Sequence, residues 1–128
     1  MQFEISRLKP EEIEEAKQMM LEALSENYIT DIEIEMNIAL DIKNVSEKAS
    51  SILERQLKEL IKSENTAVFA TRIDGKLAGY AIVVIEGDVA DFWDLVVKKE
   101  YRNLGIGTTL IKTVEKFAKE RGCVAIKL

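Results

Sequence analysis

The segment Val97-Lys98-Lys99-Glu100-Tyr101-Arg102-Asn103-Leu104-Gly105-Ile106-Gly107-Thr108-Thr109-Leu110 holds residue types and spacing suited to binding an anion. Gly105 and Gly107, separated by one residue, let the backbone turn tightly and come close to a ligand. The helix pattern that follows leaves its first amide N–H groups unpaired at the positive end of the helix dipole. Phosphate suits such a terminus best. Lys98, Lys99 and Arg102 stand against one acid, Glu100, so the loop is locally basic in a chain of net charge −5. That contrast favours a polyphosphate ligand. Two glycines alone would equally fit a plain tight turn at a helix start; the basic surroundings favour the ligand. The spacing is neither a dinucleotide-binding G-x-G-x-x-G nor a P-loop, since no Gly-Lys-Ser/Thr follows.

Composition narrows the chemistry further. The 128 residues suit one domain spanning 1–128. There is no histidine, which excludes Ser-His-Asp and Cys-His catalysis and histidine-ligated zinc. Cys123 is the single cysteine, so neither an internal disulfide nor a multi-cysteine metal site is expected, and no metal is assigned. The acidic balance argues against a nucleic-acid partner. No apolar run approaches the ~20 residues of a membrane span, and Met1-Gln2-Phe3-Glu4 lacks the apolar region of a signal peptide. A cytoplasmic protein with no membrane partner is expected.

The elements that must position the loop follow from periodicity. Residues 2–8 alternate as a half-buried strand. Pro10 opens a helix with Ile13, Ala16, Met20 and Leu24 on one stripe. Residues 25–45 read as either loop or short helix. Ser46 is the expected N-cap of a helix to about Lys62, with Ala49, Ile52, Leu53, Leu57, Leu60 and Ile61 inward. Residues 66–73 and 77–86 form a hairpin around Asp74-Gly75, and 90–97 add a third strand. A helix then runs to about Arg121, with Leu110, Ile111, Val114, Phe117 and Ala118 inward and Gly122 as its C-terminal cap. Residues 123–128 form a last strand, parallel to 90–97 through a right-handed crossover. The order β-α-α-β-β-β-α-β predicts an α/β (α+β) fold, a mixed, mostly antiparallel sheet with helices on both faces.

Arg102-Asn103-Leu104-Gly105-Ile106-Gly107 resembles the R/Q-x-x-G-x-G/A motif of the GCN5-related N-acetyltransferases (GNAT). Val97, Glu100-Tyr101-Arg102 and Leu110 match the family's "V-x-P-E-Y-R-G-x-G-I-G-x-x-L" form, and Asp74-Gly75-Lys76-Leu77-Ala78-Gly79-Tyr80 is similar to its preceding hairpin. Lys99 for proline, Asn103 for glycine and Leu104 for a basic residue are departures that keep the arginine and both needed glycines. The resemblance implies acetyl-CoA as cosubstrate. The amides of Arg102, Asn103, Leu104, Gly105, Ile106, Gly107 and Thr108 would hold its pyrophosphate. The backbone of Leu95, Val96 and Val97 would pair with the pantetheine arm, which needs strands 90–97 and 123–128 to splay apart. The family usually continues with a further helix, bearing a frequent Asn and Tyr, and a terminal hairpin; residues 1–128 stop before these.

Acetyl transfer to an amine needs a base and donors for the oxyanion. Without histidine the base is a carboxylate, directly or through water. Asp91, eleven residues before Arg102, stands where some family members carry a glutamate base, and it ranks first. Asp94 ranks second and falls on the opposite face by alternation. The Val96 N–H is the expected oxyanion donor by family analogy. Cys123 is expected to pack as a small apolar residue, Trp93 to be core or groove wall, and Tyr28 to lie where the family shapes its acceptor site. Glu26, Asp31, Glu33, Glu35 and Asp41, against Lys43, would make a rim for a cationic amine or simply a solvated face. The implied function is N-acetylation of a primary amine: a small amine, a lysine or a protein N-terminus. The second reading is a CoA-binding or dimerising module without turnover. The apolar edge at 123–128 predicts a homodimer through that strand.

Overall fold

A computed structural model describes the backbone of residues 4–27 and 42–127, and the side chains of 4–23 and 51–127. The elements are β1 (Glu4–Arg7), a 3-10 turn (Pro10–Glu12), α1 (Ile13–Asn27), α2 (Ile42–Leu60), β2 (Thr66–Ile73), β3 (Lys76–Glu86), β4 (Val89–Val97), a second 3-10 turn (Lys99–Tyr101), α3 (Ile106–Glu120) and β5 (Ala125–Lys127). The sheet order is β1-β2-β3-β4-β5, antiparallel except for the parallel β4–β5 pair. The expected fold class and the parallel last strand are both found.

Local chemistry explains the starts and turns. Pro10 supplies the first φ of the 3-10 turn, and the Glu12 carboxylate accepts from the Lys9 N–H at 3.0 Å before α1 begins. Asp74 and Gly75 both take positive φ (53° and 78°), the conformation a two-residue hairpin turn needs. Gly122 (φ 78°) ends α3 as expected. α2 starts at Ile42, four residues before Ser46, so Ser46 lies inside the helix rather than at its cap. Ile42, Val45 and Ala49 already carry the three-four spacing of the stripe, which propagates the helix upstream.

The sheet separates two apolar layers. One face packs Ile13, Ala16, Met19 and Met20 of α1 and Leu57 and Leu60 of α2 against Val68, Tyr80, Ile82 and Val96. The other packs Ile106, Leu110, Val114 and Phe117 of α3 against Phe69, Ala81 and Val83. Ile52 and Ile111, expected inward, are 54 % and 39 % exposed. Each follows or precedes a core position by one residue, a rotation of about 100° that carries it to the rim. Arg72 is buried but not alone: Glu12, the Ser6 hydroxyl and the Arg7 carbonyl accept from its guanidinium, tying the turn before α1 to β1 and β2.

One glycine fixes the approach of β3 to β4. A Cβ on Gly79 would stand 2.9 Å from the Val96 carbonyl oxygen and 3.3 Å from Ile106. Gly79→Ala should therefore destabilise the fold by about 1–3 kcal/mol, the range for overpacking a tight core. Urea denaturation checks this; an unchanged midpoint would show that the strands separate freely at this point.

Candidate functional site

The anion loop is assembled from backbone conformations that its sequence makes accessible. After the Lys99–Tyr101 turn, Asn103 takes φ 65° and Gly105 φ 86°. Asparagine tolerates the left-handed region better than most residues, which accounts for its occupying a position where the resembled family carries glycine. Gly105 is the N-cap of α3 with no side-chain cap, and its carbonyl accepts from the Thr109 N–H at 3.0 Å and the Thr109 hydroxyl at 2.8 Å. The N–H groups of Ile106, Gly107 and Thr108 precede that first helical bond and have no intrahelical acceptor. Ile106, 1 % exposed, anchors the turn to the core. Arg102 donates from Nε to the Val97 carbonyl at 3.1 Å, tying the loop back to the end of β4.

These residues surround a cleft of about 260 Å³ lined by Val97, Tyr101, Arg102 and the turn from Gly105 to Thr108. No atom lies within 4 Å of the place a Gly105 Cβ would occupy. Gly107 differs: it has no positive φ, and its Cβ would meet only Leu95 at 3.7 Å. The backbone thus requires glycine at 105, whereas at 107 only a close ligand would. Free amides, a helix terminus and an open cradle that a side chain would fill suit a pyrophosphate. Asn103, placed in the loop, lines the same cleft; Leu104, also named with it, is 42 % exposed and does not line it.

The second half of the site is the edge of β4. β5 pairs with β4 only at Val89, Ala90 and Asp91 among the described residues. Beyond that, the register against β3 slips by one residue, with Asp94 opposite Ile82 and Phe92 opposite Val83. Trp93 is the extra residue of this β-bulge and is 43 % exposed. The described part of β5 ends at Lys127, opposite Asp91, so Leu95 to Val97 beside the loop have no β5 partner among the described residues.

Strand geometry then sorts the backbone groups. The Lys98 N–H donates to the Ala78 carbonyl, and the Val96 carbonyl faces Gly79. Val96 thus turns its backbone toward β3, and alternation turns Leu95 and Val97 toward the open edge. The expected donor at Val96 is corrected on this ground: its N–H belongs to the β3 side, and the Leu95 and Val97 amides face the groove.

The bulge also corrects the placement of the two acids. Asp91 is opposite Val84 and Asp94 opposite Ile82, so the extra residue puts both on the α1/α2 face rather than on opposite faces. Asp91 stands where β4 is still paired, opposite Lys127, and Asp94 just past the bulge. Burial raises the Asp94 carboxyl above the ordinary aspartate range. Diagonal to it on the same face is Tyr80, fully buried, whose hydroxyl has no partner among the described residues. Burial, then the nearby Asp94 charge, pushes this phenol up. The sequence reading treats Tyr80 as structural; its one signal is a hydroxyl on an otherwise apolar strand. Cys123 is partly buried against the α3 layer, as a small apolar residue would be. Tyr28 and the acidic side chains at 26, 31, 33, 35 and 41 lie outside the described residues.

The profile of the acetyltransferase (GNAT) family matches residues 18–128. An uncharacterized N-acetyltransferase of Methanocaldococcus jannaschii is 41 % identical over 49 residues, 38 % of this chain. The "Probable N-acetyltransferase camello" of Xenopus tropicalis is 34 % identical over 87 residues, 62 % of this chain. The matched stretches span only 31 % and 40 % of those two relatives. Among solved structures, the PaiA N-acetyltransferase of Thermoplasma acidophilum in complex with coenzyme A superposes with a TM-score of 0.70 at 25 % identity. That match covers 95 % of this chain and 75 % of the other.

Proposed function

Because the chain belongs to the acetyltransferase (GNAT) family, we propose that it transfers an acetyl group from acetyl-CoA to a primary amine. The observation that carries this reading is the open amide cradle at the start of α3, where Gly105 holds φ 86° and nothing occupies the place of its Cβ. The coenzyme A complex of the Thermoplasma relative supports the same ligand. The loop amides from Arg102 to Thr108 and the Leu95 and Val97 backbone would hold it, and it would supply a thioester acyl group. Asp94 takes the proton from the ammonium form of the acceptor, because burial holds its carboxyl in a range better matched to that task than an ordinary aspartate. Asp91, on the same face but within the paired part of β4, is the second candidate. The Leu95 N–H donates to the negative charge that develops on the acyl oxygen. The acceptor is a small amine, a lysine or a protein N-terminus, and we place the reaction in the cytoplasm. A thermal-shift comparison of CoA, acetyl-CoA, ATP and NAD, followed by acetylation of an amine panel, tests the reading. Stabilisation by the CoA compounds alone, with turnover of at least one amine, is expected; CoA binding without turnover of any amine would favour the binding-module reading.

For assembly we propose a homodimer through residues 123–128. Among the described residues β5 stands at the edge of the sheet with all three residues exposed, and Val124 beside it is 78 % exposed. Sedimentation at micromolar concentration should report a dimer; a monomer there overturns this assignment.

A further inference from the structure

We propose that Arg7 and Arg121, which converge on the Phe117 ring at the far end of α3 from the amide cradle, form a second anion site that takes a free dianionic oxyanion of the phosphate class. The site stands apart from the acetyl-transfer chemistry and does not depend on it. In the β1–β2 register Arg7 is opposite Phe69, on the sheet face that carries α3. Its guanidinium carbon lies 5.0 Å from the Phe69 ring centre and 5.1 Å from that of Phe117. The guanidinium carbon of Arg121, the residue that closes α3, lies 4.9 Å from the same Phe117 centre. At most about 10 Å, roughly a Debye length, therefore separates the two charges. The two rings meet edge to face at 5.5 Å and are buried, whereas both arginines are exposed. An apolar floor thus carries two accessible cations.

What the pair lacks is an acid. The sequence has 23 acidic residues against 18 basic ones, yet among the described residues no carboxylate forms an ion pair with either arginine. Arg72, by contrast, is met by Glu12. Arg121 donates to the Glu64 carbonyl at 3.2 Å, and the Arg7 guanidinium makes no hydrogen bond among the described residues. Most of the donors on the two guanidinium forks are therefore left for solvent or a ligand. The nearest charge each feels is the other's: partial desolvation, then the Arg121 charge, lowers the Arg7 pKa from its ordinary value. The aromatic contacts hold both groups in place, so little freedom is lost when their donors close on an anion. A dianion matches two cations. The oxygens of a tetrahedral phosphate can accept from two forks at once, whereas a carboxylate presents its two oxygens to one.

NMR of the arginine Nε–Hε groups, assigned with Arg7→Gln and Arg121→Gln, reads the site residue by residue. Inorganic phosphate added to the wild-type protein at constant ionic strength should move the Arg7 and Arg121 signals along one shared binding curve. Acetate at the same ionic strength should move them far less. Either substitution should weaken binding at the remaining arginine by about tenfold or more, as expected for the loss of one charge-assisted partner. Gly107→Val closes the amide cradle, the other place a phosphate would bind, and should leave both curves unchanged. Signals that stay still in tens of millimolar phosphate, that move independently of each other, or that respond equally to acetate overturn the proposal. So does a response that disappears with Gly107→Val, which would assign the phosphate to the cradle.

Discussion

Gly105→Val is expected to abolish acetyl-CoA binding while leaving a folded protein. In wild type, acetyl-CoA at a hundredfold excess over Kd should stabilise the native state by about 2.7 kcal/mol. For a chain of this length that is a shift in Tm on the order of 10 °C. Gly105 holds φ 86° at the start of α3, with open space where a side chain would project. Valine there meets two penalties. The left-handed conformation costs a residue with a Cβ about 1–2 kcal/mol, and the branched side chain fills the space the phosphates need. Far-UV circular dichroism establishes that the variant is folded, and thermal shift reads the binding. Gly107→Val supplies an arm without backbone strain, since Gly107 has an ordinary φ and room for a Cβ beside Leu95. It should fold like wild type and still lose the shift. Normal stabilisation of both folded variants would place the ligand elsewhere.

Asp94→Asn should lower kcat by roughly 10²- to 10⁴-fold, the range for loss of general-base catalysis. Affinity for acetyl-CoA should stay within a factor of two or so, because the loop proposed to hold the phosphates lies beyond the other end of the Leu95–Val97 edge. Asp94 is kept partly from water, and its raised pKa means it gains its charge at higher pH than an ordinary aspartate. Turnover should therefore rise with pH through that ionisation, and the rise should vanish in the asparagine variant. Asp91→Asn is the companion measurement. If Asp91→Asn costs more than Asp94→Asn, the base is the acid in the paired part of β4, and the raised pKa at 94 is a consequence of packing alone.

Much of this architecture is legible in the amino-acid order because it depends on neighbours in the chain. Asp74-Gly75 can take two consecutive positive φ values, so the β2–β3 hairpin is written locally. The Gly105-Ile106-Gly107 run before an amphipathic stripe marks a helix terminus with free amides, whatever packs around it. Periods of two and of three to four separate strands from helices, and the single-helix crossover from β4 to β5 goes with their parallel pairing. Within the candidate site, the anion loop belongs to this class.

The face on which each β4 side chain stands does not. Asp91-Phe92-Trp93-Asp94 reads as strict alternation, and only pairing with β3 reveals that Trp93 is the extra residue. A bulge is a mismatch between two strands, so neither strand alone records it. That single slip puts both acids on the α1/α2 face and sets Asp94 diagonal to Tyr80. Backbone direction is likewise decided between strands: Gly79 admits the Val96 carbonyl, which turns Leu95 and Val97 to the groove in place of Val96. The burial that raises Asp94 comes from layers distant in the chain. The sequence by itself determined a glycine-turned helix terminus with unpaired amides and the elements that carry it. Tertiary structure decided on which face each acid stands and which β4 amides turn to the open edge, because those choices depend on register, a property of strands brought together rather than of any segment.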